Sequence, residues 1–269
     1  MAINALQSAA SGLSALNVAL DVTANNLANL NTAGFKASRV NFQDLLYIEK
    51  AQPGVLNANQ DERPIGLYVG LGVKVSGTQL ELTQGAPQAT GRPLDILIDG
   101  DGFFEVGVED SLGPGGRAYT RAGNFTLNSE GEIVLANDQG RRIEPVIQIP
   151  PDAKNLTISA DGRVFYSVGG EVEPIEAGQI QLATFINPAG LKPVGDNLFV
   201  ETAASGDPQV GNPGEDARGS LIQFMLESSN VDPTKELIEL IRTQRAFEMN
   251  SQAIRAADET LRSVAQLRR

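Results

Sequence analysis

The sequence predicts an α+β fold. Long N- and C-terminal helices form a coiled-coil-like assembly domain, and an antiparallel, irregular β-domain lies between them. Three observations carry this expectation. Leu6, Leu13, Leu20 and Leu27 recur at heptad spacing near the N-terminus. A second apolar stripe, Leu237, Leu240, Phe247, Ile254 and Leu261, runs toward the C-terminus. Between them, apolar residues alternate with polar ones and turn signals recur at short intervals.

The first helix is expected over residues 1 to 33, which hold no proline and a single glycine, Gly12. Ala9, Leu16, Thr23 and Leu30 follow the leucine stripe three places on and complete an a/d seam. Gly34 is placed as the C′ stop. Up to Lys36 the only charged side chain is Asp21, and the other positions are mainly Ala, Asn, Ser and Thr. A solvated helix face normally carries Lys and Glu. Small uncharged residues all round point to close packing on several sides, which a bundle of subunits supplies; the alternative is a helix buried within its own domain.

The second helix opens with Asp232 as N-cap and Pro233 at N1. Ala257 and Val264 join its seam, and its other faces carry charges from Lys235 to Arg262. The terminal helical assembly domain is therefore drawn as residues 1–46 and 226–269.

Residues 47–84 read as an extended linking segment, with Gln52-Pro53-Gly54, Asn57, Asn59, Pro64 and Gly66 as turn formers. The β-domain is drawn as residues 85–225. Its strands include Leu94-Asp95-Ile96-Leu97-Ile98 and Phe103-Phe104-Glu105-Val106, and its turns include Asp161-Gly162 and Gly169-Gly170. Phe125-Thr126-Leu127 with Gly131 and Ile133 resembles Leu156-Thr157-Ile158 with Gly162 and Val164, so each unit is expected as a strand, a glycine turn and a strand.

Composition narrows the function. The chain has 269 residues, a net charge of -12, and no His or Cys. A Ser-His-Asp triad, a Cys nucleophile and a His/Cys zinc site are excluded. The acidic balance argues against nucleic acid, whose phosphates attract Lys and Arg. Scarce aromatic residues, 5% of the chain, count against a carbohydrate cleft. Asp95, Asp99 and Asp101 lack the next ligand of a calcium loop, where Phe103 stands, and read as β-turn residues. No segment reaches the roughly 20 apolar residues that span a bilayer, so no membrane insertion is expected. The N-terminus has no basic n-region or apolar core, so if the protein leaves the cytoplasm it is expected to use a route that cleaves no such signal peptide. No enzyme, cofactor or metal is expected.

Asn25-Asn26-Leu27-Ala28-Asn29-Leu30-Asn31-Thr32-Ala33-Gly34-Phe35-Lys36 resembles the N-terminal signature of flagellar rod and hook axial proteins. Glu227-Ser228-Ser229-Asn230-Val231 resembles the motif before their C-terminal helix, and Gln244-Arg245-Ala246-Phe247-Glu248-Met249-Asn250 resembles that helix's own signature. Asp99 to Phe104 and Tyr119 to Phe125 are similar to their β-domain motifs. The resemblance spans the chain in order. Gln52-Pro53-Gly54 and Pro64-Ile65-Gly66-Leu67 are similar to the insertion of the distal-rod branch. One position departs: Phe224 stands where the family usually has glycine, which bears on the local strand geometry.

The resemblance implies a self-polymerising subunit of a hollow drive shaft. Terminal helices would form an inner tube and the β-domain an outer layer. The assembly residues would be Leu6, Leu13, Leu16, Leu20, Leu27 and Leu30 on the first helix, and Asn25, Asn26, Asn29, Asn31, Gly34 and Phe35 in the signature. Asn230, Val231, Leu237, Leu240, Arg245, Phe247, Asn250, Ile254 and Leu261 would serve at the C-terminal end. It further implies export by the flagellar type III apparatus and a rod crossing the periplasm inside the P and L rings, between proximal rod proteins and the hook protein. The alternatives are another axial member, such as a proximal rod or hook protein, a secreted β-rich oligomeric adhesin, and a carbohydrate-active hydrolase.

Overall fold

A computed structural model describes residues 2–55, 62, 64–168 and 174–267. Asn57, Asn59 and Gly169-Gly170 of the expected turns lie outside them. The chain divides into two compact units, one of residues 1–28, 38–80 and 232–269, the other of residues 29–37 and 81–231.

In the first unit, helix α1 (Ala2–Ala28) packs against the closing helix α2 (Pro233–Leu267). The helices run antiparallel: Gly12 lies at Asn250, while Asn26 meets Glu236 near the start of α2. Asp232 caps α2, its Oδ1 accepting from the backbone N–H of Thr234 at 3.0 Å and of Lys235 at 3.3 Å. These amides hold the Asp232 carboxyl below its ordinary range. The closest packing in α1 falls on small side chains. Gly12, Ala15, Thr23 and Asn26 are buried, whereas Leu6, Leu13, Leu16, Leu20 and Leu27 are half-buried. A Cβ on Gly12 would come within 3.0 Å of the Asn250 amide, so glycine sets the approach of the two helices there.

Strands β1 (Ser38–Asp44) and β4 (Val73–Leu80) form an antiparallel pair with a register break between Asn41 and Phe42. Strands β2 (Tyr47–Ala51) and β3 (Leu67–Gly70) form a second pair. Strands β2, β3 and β4, which fall within the expected linking segment 47–84, are thus paired and grouped with the helices. Both β1 and β4 pack on α1. Ser11 Oγ accepts from the Val73 N–H at 3.3 Å, and Ser8 Oγ donates to the Gly70 carbonyl at 3.5 Å. Small polar residues in α1 therefore have neighbours within the same chain.

The helix stops at Ala28, short of Gly34, so Leu30 lies beyond its end and Gly34 is not its C′ residue. Thr32 and Asn29 close a turn instead, through the Thr32 N–H to the Asn29 carbonyl at 3.2 Å.

The second unit is built of short antiparallel strands. Its central sheet joins β7 (Phe103–Gly107), β8 (Arg117–Thr120), β15 (Leu182–Thr184), β16 (Lys192–Gly195), β17 (Leu198–Val200) and β18 (Gln209–Gly211) in the order β16-β17-β8-β7-β15-β18, with β11 (Ile143–Glu144) also on β7. Hairpin β9 (Phe125–Leu127) with β10 (Ile133–Leu135) repeats in β12 (Ala153–Ile158) with β13 (Arg163–Val168), which β14 (Ile175–Gln179) extends. In both, a glycine of positive φ, Gly131 or Gly162, accepts through its carbonyl from a following isoleucine N–H, Ile149 at 2.7 Å or Ile180 at 2.8 Å. Two strand pairs close the unit: β5 (Pro87–Ala89) with β20 (Met225–Glu227), and β6 (Ile96–Asp99) with β19 (Ser220–Gln223). The β structure thus runs past residue 225 to Glu227. Ile96, Ile98, Phe104, Val106, Phe125 and Leu182 lie in its core. Phe224 joins β19 to β20 at φ 66°, the left-handed conformation that glycine adopts freely and a bulky residue avoids.

Candidate functional site

The two signature segments converge in the second unit on a buried ionic cluster. Lys36 and Glu227 are each 1% exposed and meet at 2.6 Å. Lys36 Nζ also donates to the Thr83 carbonyl at 2.8 Å. The same Glu227 oxygen accepts from the Gly85 N–H at 2.8 Å, and its other oxygen lies 3.5 Å from Arg121 Nη1. Arg121, also buried, donates through Nη2 to the Gly100 carbonyl at 2.8 Å and lies over the Phe103 ring. Burial lowers the basicity of both cations, and Glu227 opposes that shift in each.

Backbone contacts complete the junction. The Gly34 N–H donates to the Glu227 carbonyl at 2.8 Å. A Cβ on Gly34 would sit 2.6 Å from the Ala122 nitrogen and 2.7 Å from the Arg121 carbonyl carbon, and its φ is 70°. Only glycine fits. Asn230 behaves as a length of backbone: its Oδ1 accepts from the Ala37 N–H at 2.7 Å and its Nδ2 donates to the Glu81 carbonyl at 2.7 Å. In the first unit Asn26 does the same for Ser38. Its Nδ2 donates to the Ser38 carbonyl at 2.8 Å and its Oδ1 accepts from the Ser38 N–H at 2.9 Å. These residues form a folding clamp in which the chain's own groups meet each other's charges and hydrogen bonds.

The chain matches three described families: a flagella basal body rod protein over residues 6–36, the flagellar hook protein FlgE/F/G D1 domain over 97–166, and the flagellar basal body rod FlgEFG protein C-terminal over 222–267. It is 44% identical to the flagellar basal-body rod protein FlgG of Caulobacter vibrioides, over 99% of this chain and 100% of that protein. The FlgG of Agrobacterium fabrum is 45% identical over 96% of each chain, and that of Borreliella burgdorferi 42% over 99% of each. The chain belongs to the FlgG family of flagellar basal-body rod proteins. Like others of the FlgG family, it is a structural rod subunit and not an enzyme.

For this FlgG-family chain, the residues expected to act in assembly fall into three groups. Asn26, Gly34 and Val231 are buried, and Asn29, Phe35 and Asn230 are half-buried. Leu240, Phe247, Asn250 and Ile254 are half-buried on α2, where with buried Thr243 and half-buried Ala257 they make the seam of that helix. Leu237 departs from this seam and is 50% exposed, and Leu261 is 38% exposed. The heptad from Leu240 runs through Phe247 and Ile254, with Thr243, Asn250 and Ala257 between, so a polar threonine and asparagine hold places that apolar periodicity does not mark. Asn25, Asn31 and Arg245 are exposed, as are Gln52, Pro53, Gly54 and Pro64 of the insertion-like stretch, whose Gly66 is half-buried beside Tyr68 and Pro53.

The sequence motifs do not mark Lys36, Arg121 and Glu227 as a set. Their signal was the lone Lys36 and Glu227 within otherwise uncharged signature segments, but no spacing rule pairs residues so far apart in the chain.

Proposed function

We propose that this FlgG-family subunit forms the distal rod, polymerising helically into a hollow shaft that transmits torque to the hook and passes exported proteins. The observation that supports it is apolar exposure in the first unit. Leu46 is 83% exposed, Ile65 81%, Met249 64% and Leu237 50%, with Tyr47, Leu67, Tyr68 and Ile238 also exposed. Exposed apolar side chains in this number suit a protein interface. In a polymer, neighbouring copies cover it: the helical ends form the inner tube and the β-domain the outer layer. Leu6, Leu13, Leu16, Leu20 and Leu27, half-buried in one copy, become fully buried in many.

On this reading the shaft crosses the periplasm inside the P and L rings, between proximal rod proteins and the hook protein. Its subunits leave by the flagellar type III apparatus without a cleaved signal. Residues 47–72, the turn-rich part of the expected linking segment, brace a neighbouring copy and keep the shaft straight. Electron microscopy of the purified full chain tests the reading: straight tubes are expected above a critical concentration. A chain that stays monomeric at high concentration, with Leu46 and Ile65 still exposed, refutes it. Tubes from a 47–72 deletion are expected to bend, and unchanged stiffness would remove the bracing role.

A further inference from the structure

The charge of the chain is divided unevenly between its two units. Residues 29–37 and 81–231, the second unit, hold 22 acidic against 10 basic side chains, a net -12 that equals the charge of the whole chain. The first unit holds 11 of each sign and is neutral.

Ion pairing sharpens the difference. In the second unit eight of the ten cations are already paired with carboxylates of the same unit, Lys36 and Arg121 with Glu227 in its interior and the rest nearer the surface. Only Lys154 and Lys192 remain, and both are exposed. Against these two stand ten exposed carboxylates of the described residues that join no ion pair, Glu109, Asp138, Asp152 and Asp207 among them. In the first unit the exposed charges outside ion pairs are of both signs: Arg39, Lys74 and Arg245 on one side, Asp21, Glu248 and Glu259 on the other.

A polymer repeats one surface at close spacing. Second units then bring like charge beside like charge, and self-repulsion of this kind opposes association. First units can set either sign against the other, and they also carry the exposed Leu237, Ile238, Ile241 and Met249. We propose that self-assembly of this chain is gated by ionic strength: copies bind through the neutral first unit, and the unmatched carboxylates of their second units hold them apart until salt screens them. The inference rests on the reading of the chain as a self-polymerising subunit. Because the carboxylates are exposed, their repulsion reaches about 30 Å at 0.01 M salt and only about 8 Å at 0.15 M. The gate therefore opens within that range.

Sedimentation of the full chain measures the critical concentration across a sodium chloride series from about 0.01 to 0.5 M. Sulfate is avoided, because it strengthens apolar burial by itself. No tubes at any salt concentration refutes the polymer reading. Where tubes form, the critical concentration is expected to fall roughly tenfold or more, most of it below about 0.15 M. A critical concentration that salt leaves unchanged or raises overturns the gate. Two variants of equal charge change then locate it. Glu109→Gln/Asp138→Asn/Asp152→Asn/Asp207→Asn neutralises four exposed carboxylates of the second unit. It is expected to lower the critical concentration at 0.01 M salt by roughly threefold or more and to flatten the salt series. Asp21→Asn/Asp44→Asn/Glu248→Gln/Glu259→Gln removes four exposed carboxylates from the first unit. It is expected to leave the critical concentration unchanged or to raise it. Equal falls in both variants assign the effect to net charge alone and overturn the role of the second unit. The wild-type salt series decides the gate even where a variant fails to fold.

Discussion

Glu227→Gln isolates the charge of the buried cluster. The amide keeps nearly the shape of the carboxylate and still offers an oxygen to Lys36 and to the Gly85 N–H. Only the negative charge is lost. Lys36 and Arg121, 1% and 4% exposed at their side chains, are then two buried cations with no counter-charge. Removing one partner of a buried pair costs about 3–5 kcal/mol. For a unit of this size each kcal/mol moves the melting temperature by about 2–4 °C, so a fall of roughly 6–20 °C is expected.

The assay is thermal unfolding of the full chain below its assembly concentration, followed by β-sheet circular dichroism. The deficit should persist in high salt, because buried pairs are screened little. It should also narrow at alkaline pH. Burial already holds the Lys36 ammonium below its ordinary 10.5, and Glu227 is what opposes that shift. Without Glu227 the folded-state value falls further. Between that value and 10.5 the unfolded chain binds more protons than the folded one, so stability rises with pH across this window. Adding Lys36→Met to Glu227→Gln should recover part of the loss. A fall below about 2 °C, or a double variant as unstable as the two single losses added together, would refute the account of the cluster.

Three further outcomes are expected. Gly34→Ala places a Cβ against the Arg121–Ala122 backbone at positive φ, and left-handed strain plus overpacking should cost about 2–5 kcal/mol, read as a lower denaturation midpoint; an unchanged midpoint would deny the close approach. Leu20→Asp puts an unpaired carboxylate on the half-buried leucine stripe and should abolish sedimentable tubes while leaving the β-unit's melting transition in place; normal tubes would refute the stripe's role in assembly. Glu105 is buried opposite Glu144 across the β7–β11 pair, and burial first, then Glu144 and Glu201, raise its carboxyl above 4.5 against the pull of Arg117. Between 4.5 and that raised value the folded state binds more protons, so stability falls as pH rises, and Glu105→Gln should flatten this slope in melting temperatures measured across the window; an unaltered slope would assign it to other groups.

The sequence by itself determined the element types at both ends, the β character of the middle, the two related hairpins and the family. These signals are local. Heptad leucines, the Asp232-Pro233 start and a glycine between two apolar runs each act within a few residues, where side-chain period and backbone propensity decide the outcome. Tertiary structure alone decided what those residues touch. The leucine stripe looked like the tightest seam of α1, yet Gly12, Ala15, Thr23 and Asn26 take that place, because small side chains let a second helix and two strands approach together. Gly34 looked like a helix stop and is instead the point where two backbones meet. Residues 47–84 looked like a linking segment, yet 47–51, 67–70 and 73–80 within it are paired strands grouped with the helices. Lys36, Arg121 and Glu227 come from three distant segments, and periodicity holds no information on such pairing. A buried charge is tolerated only where its counter-charge arrives through folding, so its partner becomes visible only when the chain is folded.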